Sequence, residues 1–224
     1  MMVVEVHQET EHLMSVRMAS ALEGSAFHFR AGQYVHVSFK GAPASAFAIA
    51  SEPEVKQSIE FLVKDDPDGP SDTLAHAKPD DPVNVSPPMG NGFPVQPFEG
   101  CDLLLVGIGT GLAPLRSVLK SVLRREHSFG ALTLVYGVKK PEEVPFHDDF
   151  TLWRKKIRVE IAVSNPGNSY WPGFEGRVTD FLKQARLAPE RTVACVCGSE
   201  EMERETAEIL RAKGIPPERI LFNH

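Results

Sequence analysis

Residues 107–114 (GIGTGLAP) have the residue types of a phosphate-binding turn. They follow the apolar run 103–106 and open a stretch with apolar residues at helical spacing, which predicts a buried strand, a glycine turn and a helix start. Glycines let the backbone approach a ligand closely, and a helix N-terminus offers N–H groups and the positive end of a dipole. The turn therefore favours a phosphate-bearing cofactor, although its spacing is not the usual G-x-G-x-x-G.

The composition excludes several classes of protein. The chain has 224 residues, 42% of them hydrophobic, and a net charge of −6 without a basic stripe, which argues against nucleic-acid binding. Its apolar runs are too short to span a bilayer, and its start lacks the pattern of a signal peptide. Three cysteines provide neither a disulfide framework nor four iron–sulfur ligands, so we expect a cytoplasmic protein without a metal site.

The pattern changes near residues 90–100, which are rich in glycine and proline. Short β-rich runs before this point predict a small barrel or sandwich, with strands at 3–7, 13–18, 34–39, 47–50, 59–63 and 83–85 and one helix at 71–77. Strands and helices then alternate, with strands at 103–106, 132–136, 159–163, 192–197 and 220–222 and helices at 111–125, 145–156, 178–186 and 200–213. Such alternation predicts a parallel sheet that binds its ligand at the carboxyl ends of the strands.

Four ordered segments give this chain a family resemblance. Residues 29–35 (FRAGQYV), 47–53 (FAIASEP), 88–93 (PMGNGF) and 196–202 (VCGSEEM) resemble segments of the ferredoxin–NADP reductase superfamily, as does the glycine turn. The resemblance implies a two-domain fold: an N-terminal antiparallel Greek-key β-barrel that binds flavin, residues 1–97, and a C-terminal α/β doubly wound parallel sheet that binds NAD(P), residues 98–224.

Two branches of the superfamily are especially similar. The sequence resembles a plant "fruit protein" reductase-like subgroup and also the electron-transfer subunit of dihydroorotate dehydrogenase. That subunit carries a C-terminal cysteine cluster for iron and sulfur, which this chain lacks.

The implied flavin site departs from the family pattern. The family holds FAD through R-x-Y-S, whereas residues 45–48 read SAFA. Phe47 can stack on the ring, but the arginine is missing, which weakens FAD binding by about ten- to a hundredfold unless Arg30 or Lys64 substitutes. A second segment, residues 69–72, resembles the turn that holds the pyrophosphate, with Ser71 as helix N-cap. The residues implied to bind flavin are Ser45, Phe47, Ala48, Ile49, Val63, Lys64, Gly69, Pro70, Ser71 and Asp72.

The implied nicotinamide site follows the family pattern more closely. Cys197 ends a strand and by resemblance lies beside nicotinamide C4, although a small buried core residue is the alternative. Asn165 stands where NADP-selective relatives often carry arginine, which favours NADH over NADPH. Phe222 is expected either to shield the flavin or to close the core. The residues implied to bind NAD(P) are Gly109, Thr110, Gly111, Ser164, Cys197, Gly198 and Met202, and Cys197, Phe47 and Thr110 are the expected catalytic residues.

These residues support three hypotheses about function. The first is an FAD-dependent reductase that takes hydride from NADH and passes electrons to a protein or small-molecule acceptor. The second is a flavin reductase in which flavin is an exchangeable substrate. The third is a non-catalytic nucleotide-binding or electron-transfer subunit of a larger complex.

Overall fold

The computed structural model describes residues 1–22, 24–67, 69, 71–125, 128–167 and 170–223. Its first part contains the strands β1 (Met2–Thr10), β2 (Leu13–Ala19), β3 (Tyr34–Ser38), β4 (Ser45–Ala48), β5 (Ser58–Lys64) and β6 (Asn84–Val85) and the short helix α1 (Asp72–Ala75). The strands form two antiparallel sheets, ordered β1-β2-β5 and β4-β3-β6. The two sheets share one apolar core and are joined where Ile49 bridges to Phe61. The antiparallel N-terminal architecture predicted from the sequence is thus confirmed.

The second part is one six-stranded parallel sheet in the order β10-β9-β8-β7-β11-β12. Its strands are β7 (Asp102–Ile108), β8 (Leu132–Val138), β9 (Arg158–Val163), β10 (Phe174–Glu175), β11 (Thr192–Cys197) and β12 (Ile220–Phe222), and its helices are α2 (Leu112–Leu123), α3 (His147–Trp153), α4 (Val178–Gln184) and α5 (Glu200–Ala212). Helices α2 and α3 pack on one face and α4 and α5 on the other. This confirms the predicted doubly wound α/β fold. No helix of the described residues is long and apolar enough to cross a membrane.

Several predicted boundaries differ from the structure because local periodicity does not report tertiary contacts. Helix α3 begins at His147 rather than at residue 145, since Phe146 has φ of +54° and donates its backbone N–H to Glu9 at 2.8 Å. The predicted helix 71–77 is only one turn, Asp72–Ala75. The short strand Phe174–Glu175 was not predicted, because two residues carry no detectable alternation.

Arg116, in α2, connects the two parts of the molecule. Its side chain is almost fully buried and donates from Nη1 to Glu60 at 2.5 Å and to the carbonyl of Ala50 at 3.0 Å. Its Nε donates to Asp149 at 2.6 Å, and the guanidinium lies 4.0 Å from the centre of the Phe146 ring. Burial lowers the pKa of Arg116, but the carboxylates of Glu60 and Asp149 outweigh burial and raise it, so the group stays charged.

The same face of α2 binds the segment that follows β4. Ser117 donates its hydroxyl to the carbonyl of Ser51 at 2.6 Å, and Ser121 donates to Glu54 at 2.7 Å. Arg124 donates to the buried carboxylate of Glu52 at 2.6 Å. The interface between the two parts is therefore polar and hydrogen-bonded along this helix, which fixes one part against the other.

We expect Arg116→Ala to lower the free energy of unfolding by about 3 kcal/mol, because it leaves the Glu60 and Asp149 carboxylates without their shared partner. Urea unfolding at neutral pH measures this effect. Arg204→Ala, which removes a surface pair with Glu208, is the matched control and should cost less than about 0.5 kcal/mol. Equal losses in the two variants would contradict the connecting role of Arg116.

We expect Glu52 to make the interface sensitive to acid. Burial alone would raise the pKa of Glu52, but the hydrogen bond from Arg124 and the charge of Lys120 hold it below its ordinary value of 4.5. Because the folded-state pKa is depressed, the stabilisation is complete above pH 4.5 and is lost as the pH falls through the folded-state pKa. Glu52→Gln should be less stable at pH 7 and show a shallower loss of stability on acidification, measured by urea unfolding at a series of pH values.

Candidate active site

A cleft of about 1050 Å³ separates the two parts of the molecule. One wall comes from the N-terminal strands and includes Ala46, Ala48 and Lys64. The other is the carboxyl edge of the parallel sheet, where β7, β8, β9 and β11 end. This is the edge at which ligands of open α/β sheets bind, and the glycine turn lies in it.

The glycine turn needs glycine for two different reasons. Gly109 has φ of +53°, and no atom lies within 4 Å of where a β-carbon would stand, so this backbone faces open space in the cleft. Gly111 is buried, and a β-carbon there would overlap the carbonyl of Cys197 at the end of β11. The first glycine therefore leaves space for a ligand, and the second permits close packing of the turn against the sheet.

Tyr136, near the end of β8, forms a hydrogen bond that fixes the glycine turn. Its hydroxyl donates to the carbonyl of Gly109 at 2.9 Å, and its side chain is fully buried. Burial, with a smaller contribution from the charge of Glu143, raises the pKa of Tyr136 above its ordinary value, so the phenol stays neutral and remains a donor.

Cys197 lies where β11 enters the cleft. Burial, assisted by the charge of Glu203, raises the pKa of its thiol to about 12, so it is a neutral thiol at physiological pH. Its Sγ donates to Oδ1 of Asn223 at 3.4 Å, and Nδ2 of Asn223 donates to the carbonyl of Gly32 in the N-terminal part at 3.4 Å. Asn223, near the C-terminus, thus connects Cys197 to the N-terminal part of the molecule.

Gly198 and Met202 shape the wall beside Cys197. The Met202 methyl group packs so close to Gly198 that a β-carbon there would overlap it, and Ser199 caps α5 by accepting from the Met202 backbone N–H at 3.3 Å. Phe222, by contrast, packs against the core on the α4–α5 face. Its predicted role over the flavin stays a prediction.

The cleft is also lined by polar and positively charged side chains of the C-terminal part. Among the described residues, no carboxylate forms an ion pair with the side-chain nitrogens of Lys139 or Arg177, although their backbone N–H groups donate to Glu143 at 3.1 Å and to Asp180 at 3.2 Å; Ser164 lines the same cleft. Thr179 is 2% exposed, and its hydroxyl oxygen has no hydrogen-bond partner within the described part of the chain. A buried unpaired hydroxyl in the wall of a cleft is a group that a bound polar ligand can satisfy.

The predicted flavin residues divide between the cleft and the barrel core. Ala48 lines the cleft, whereas the Phe47 ring lies 6.1 Å from that of Phe61 and packs with the barrel core. Ile49 and Val63 are also buried in that core, and Ser45 shares the strand face of Phe47. These four residues are not among those that line the cleft, so the stacking role of Phe47 stays a prediction.

The predicted pyrophosphate turn has its own internal partners. Lys64, a proposed substitute for the missing arginine, donates to Asp66 at 2.9 Å. The sequence predicted that the Ser71 side chain would cap α1. The structure shows no such cap, because the Ser71 hydroxyl donates instead to the carbonyl of Lys64 at 2.7 Å. Gly69 donates its N–H to Asp66 at 2.8 Å, Asp72 lies in the first turn of α1, and Pro70 falls outside the described residues.

Comparison with known proteins agrees with this geometry. Residues 105–208 match the oxidoreductase NAD-binding domain family. The chain is 32% identical over 216 residues to the sulfhydrogenase 1 subunit gamma of Pyrococcus furiosus, covering 95% of this chain and 73% of that subunit. It is 33% identical over 211 residues to the fruit protein pKIWI502 of Actinidia deliciosa, covering 85% and 64% of the two chains. A ferredoxin NADP+ reductase from Neisseria gonorrhoeae, solved with FAD and NADP, superposes with a TM-score of 0.83 at 24% identity, covering 99% and 96%.

The fold is that of the ferredoxin–NADP reductase-like oxidoreductases, with antiparallel N-terminal sheets and a C-terminal parallel sheet covered by helices. The chain belongs to the ferredoxin–NADP reductase-like family of FAD-dependent NAD(P)H oxidoreductases.

Sequence reasoning did not identify Tyr136, Thr179 and Asn223 as parts of this site. Tyr136 ends an apolar strand beside the glycine-bearing strand, which is a usable signal for a group at the carboxyl edge. Thr179 and Asn223 carry no local signal, because only the folded chain brings them to the cleft.

We expect Gly111→Ala and Gly109→Ala to have different consequences. Gly111→Ala forces the turn away from Cys197 and should lower thermal stability and NAD+ affinity together. Gly109→Ala meets no atom, so it should cost only about 1–2 kcal/mol for its positive φ while still weakening NAD+ binding. Thermal melting and NAD+ titration separate the two effects, and unchanged NAD+ affinity in both variants would contradict a ligand-binding role for the turn.

Proposed function

We propose that this protein oxidises NADH in the cleft and delivers the electrons through FAD to a separate acceptor. The observation that supports this most directly is the shared cleft. The glycine turn, Tyr136 and Cys197 face, across one space, the small side chains Ala46 and Ala48 of the N-terminal sheet. Two flat cofactors placed against these walls would meet between the two parts.

The residues present fit both cofactors. Gly109–Gly111 and the unpaired hydroxyl of Thr179 would hold the nicotinamide nucleotide, with Lys139 and Arg177 near its phosphates. Ala48 and the backbone of β4 would hold the flavin. When bound, the nicotinamide supplies a hydride and the flavin accepts it and releases electrons, so the chemistry belongs to the cofactors.

The protein contributes the orientation of the two cofactors. The Cys197 thiol, with a pKa of about 12, is neutral and acts by contact rather than as a nucleophile. Tyr136 keeps the Gly109 carbonyl directed into the structure, which leaves the turn open toward the cleft. Thr110 is exposed in the cleft and is the side chain of the turn available to donate to a nucleotide.

We propose NADH as the preferred reductant. Asn165 follows β9 and donates its backbone N–H to the carbonyl of Lys139 at 2.8 Å. Its neutral side chain replaces the cation that a 2′-phosphate would need at this position. Lys139 and Arg177 are the nearby positive charges, and they also suit the pyrophosphate common to both nucleotides.

A second candidate function treats flavin as an exchangeable substrate. It is favoured by the pairing of Lys64 with Asp66, which engages one of the two cations that could replace the missing arginine. Asp65 and Asp72 add negative charge beside the same turn. A pyrophosphate held there gains little charge compensation, so FAD would be bound more weakly than in relatives with R-x-Y-S.

We also propose the type of electron acceptor and the part of the chain that binds each cofactor. The sulfhydrogenase relative is by name a subunit, which supports a partner protein as electron acceptor. We assign flavin binding to residues 1–97 and nicotinamide binding to residues 98–224. Three free cysteines are in keeping with a cytoplasmic location.

Anaerobic reduction tests the proposal. The full chain is incubated with FAD, excess FAD is removed, and the flavin absorbance is followed after addition of NADH or NADPH. We expect NADH to bleach the bound flavin, and to do so faster than NADPH. Thr110→Val should slow bleaching roughly three- to tenfold by removing one hydrogen-bonding group.

Thr151→Val, a threonine on the exposed side of α3, is the matched control and should leave the rate unchanged. Retained FAD that NADH does not bleach would contradict reductase activity. FAD that washes off but supports NADH oxidation when added back would favour the exchangeable-flavin function.

A further inference from the structure

A second groove lies at the opposite, amino-terminal edge of the parallel sheet. It encloses about 660 Å³ beside the starts of β7, β8 and β9 and the residues after α4. Strand β8 runs from this groove to the nicotinamide cleft, a span of about 20 Å. A ligand here would therefore leave the cleft accessible.

The groove is strongly basic. Arg154, Lys155, Lys156 and Arg186 line it, are exposed, and have no carboxylate within 4.0 Å among the described residues. Asp102 also lines it, but it accepts from the N–H of Ala131 at 2.8 Å and pairs with Arg191 at 3.1 Å. We call the site formed by Arg154, Lys155, Lys156 and Arg186 the basic groove.

Apolar side chains accompany these charges. Leu132, Ile157 and Leu187 are half-buried and line the same groove. The chain has a net charge of −6, whereas the four clustered, unpaired cations around these apolar side chains give the groove a local positive charge. The complementary ligand carries several carboxylates and at least one apolar side chain.

We propose that the basic groove docks an acidic segment of a partner polypeptide in which carboxylates flank an apolar residue. Charge complementarity attracts the segment, and contact between its apolar residue and the half-buried apolar residues of the groove fixes its position. The position at the amino edge separates docking from electron transfer, because the partner is held without covering the nicotinamide cleft.

Fluorescence anisotropy with a labelled peptide of sequence Glu-Glu-Leu-Glu-Glu tests this on the full chain. We expect saturable binding that weakens from about 0.01 M to about 0.15 M salt, as the Debye length falls from about 30 to about 8 Å. The double variant Lys155→Glu, Arg186→Glu should lose affinity about tenfold, because two attractions become repulsions. The peptide Gln-Gln-Leu-Gln-Gln should not bind.

Lys56→Glu, Arg211→Glu makes the same change in net charge on exposed residues outside the groove and should retain peptide affinity. Thermal melting confirms that both double variants are folded. Equal loss in the two variants, absence of saturable binding, or groove-dependent binding to phosphatidylserine vesicles instead of the peptide would each overturn the proposal.

Discussion

The contacts of the Arg116 guanidinium are the interaction on which the rest of this structure depends. One buried cation is shared by Glu60 and the Ala50 carbonyl from the N-terminal part and by Asp149 from the C-terminal part. Since α2 begins directly after the glycine turn, the same bonds set how far the turn stands from Ala46 and Ala48. Each member would be costly to bury alone, so the two parts are stabilised in one relative position.

The glycine turn is flanked in the cleft by two neutral side chains. Tyr136 and Cys197 are both titratable, and burial raises the pKa of each, which keeps them protonated at physiological pH. Hydride transfer needs alignment rather than a general acid or base, so uncharged, well-packed walls suit it. Charged side chains also line the cleft, Lys64 on the N-terminal wall and Lys139 and Arg177 on the opposite wall, and the basic groove lies at the other edge of the sheet.

The two walls of the cleft differ in how far their side chains are held in place before a ligand binds. On the nicotinamide side, the turn, Tyr136 and Cys197 are held by hydrogen bonds and close packing. On the flavin side, Phe47 packs with the barrel core and Lys64 is paired with Asp66. Rigid, preorganised groups lose little entropy on binding, whereas paired groups must exchange partners, so the proposed function would combine firm nucleotide binding with weaker flavin binding.

The sequence by itself determined the order of strands and helices, the doubly wound sheet, the glycine turn and the position of Cys197 at a strand end, because periodicity and turn chemistry act locally. Only the tertiary structure decided which side of β4 faces the cleft, the partner of Lys64 and the role of Arg116, a buried charge on the polar face of α2. Tyr136, Thr179 and Asn223 join the site through contacts between residues far apart in the chain. Such contacts depend on how whole elements pack, and local residue patterns do not encode that packing.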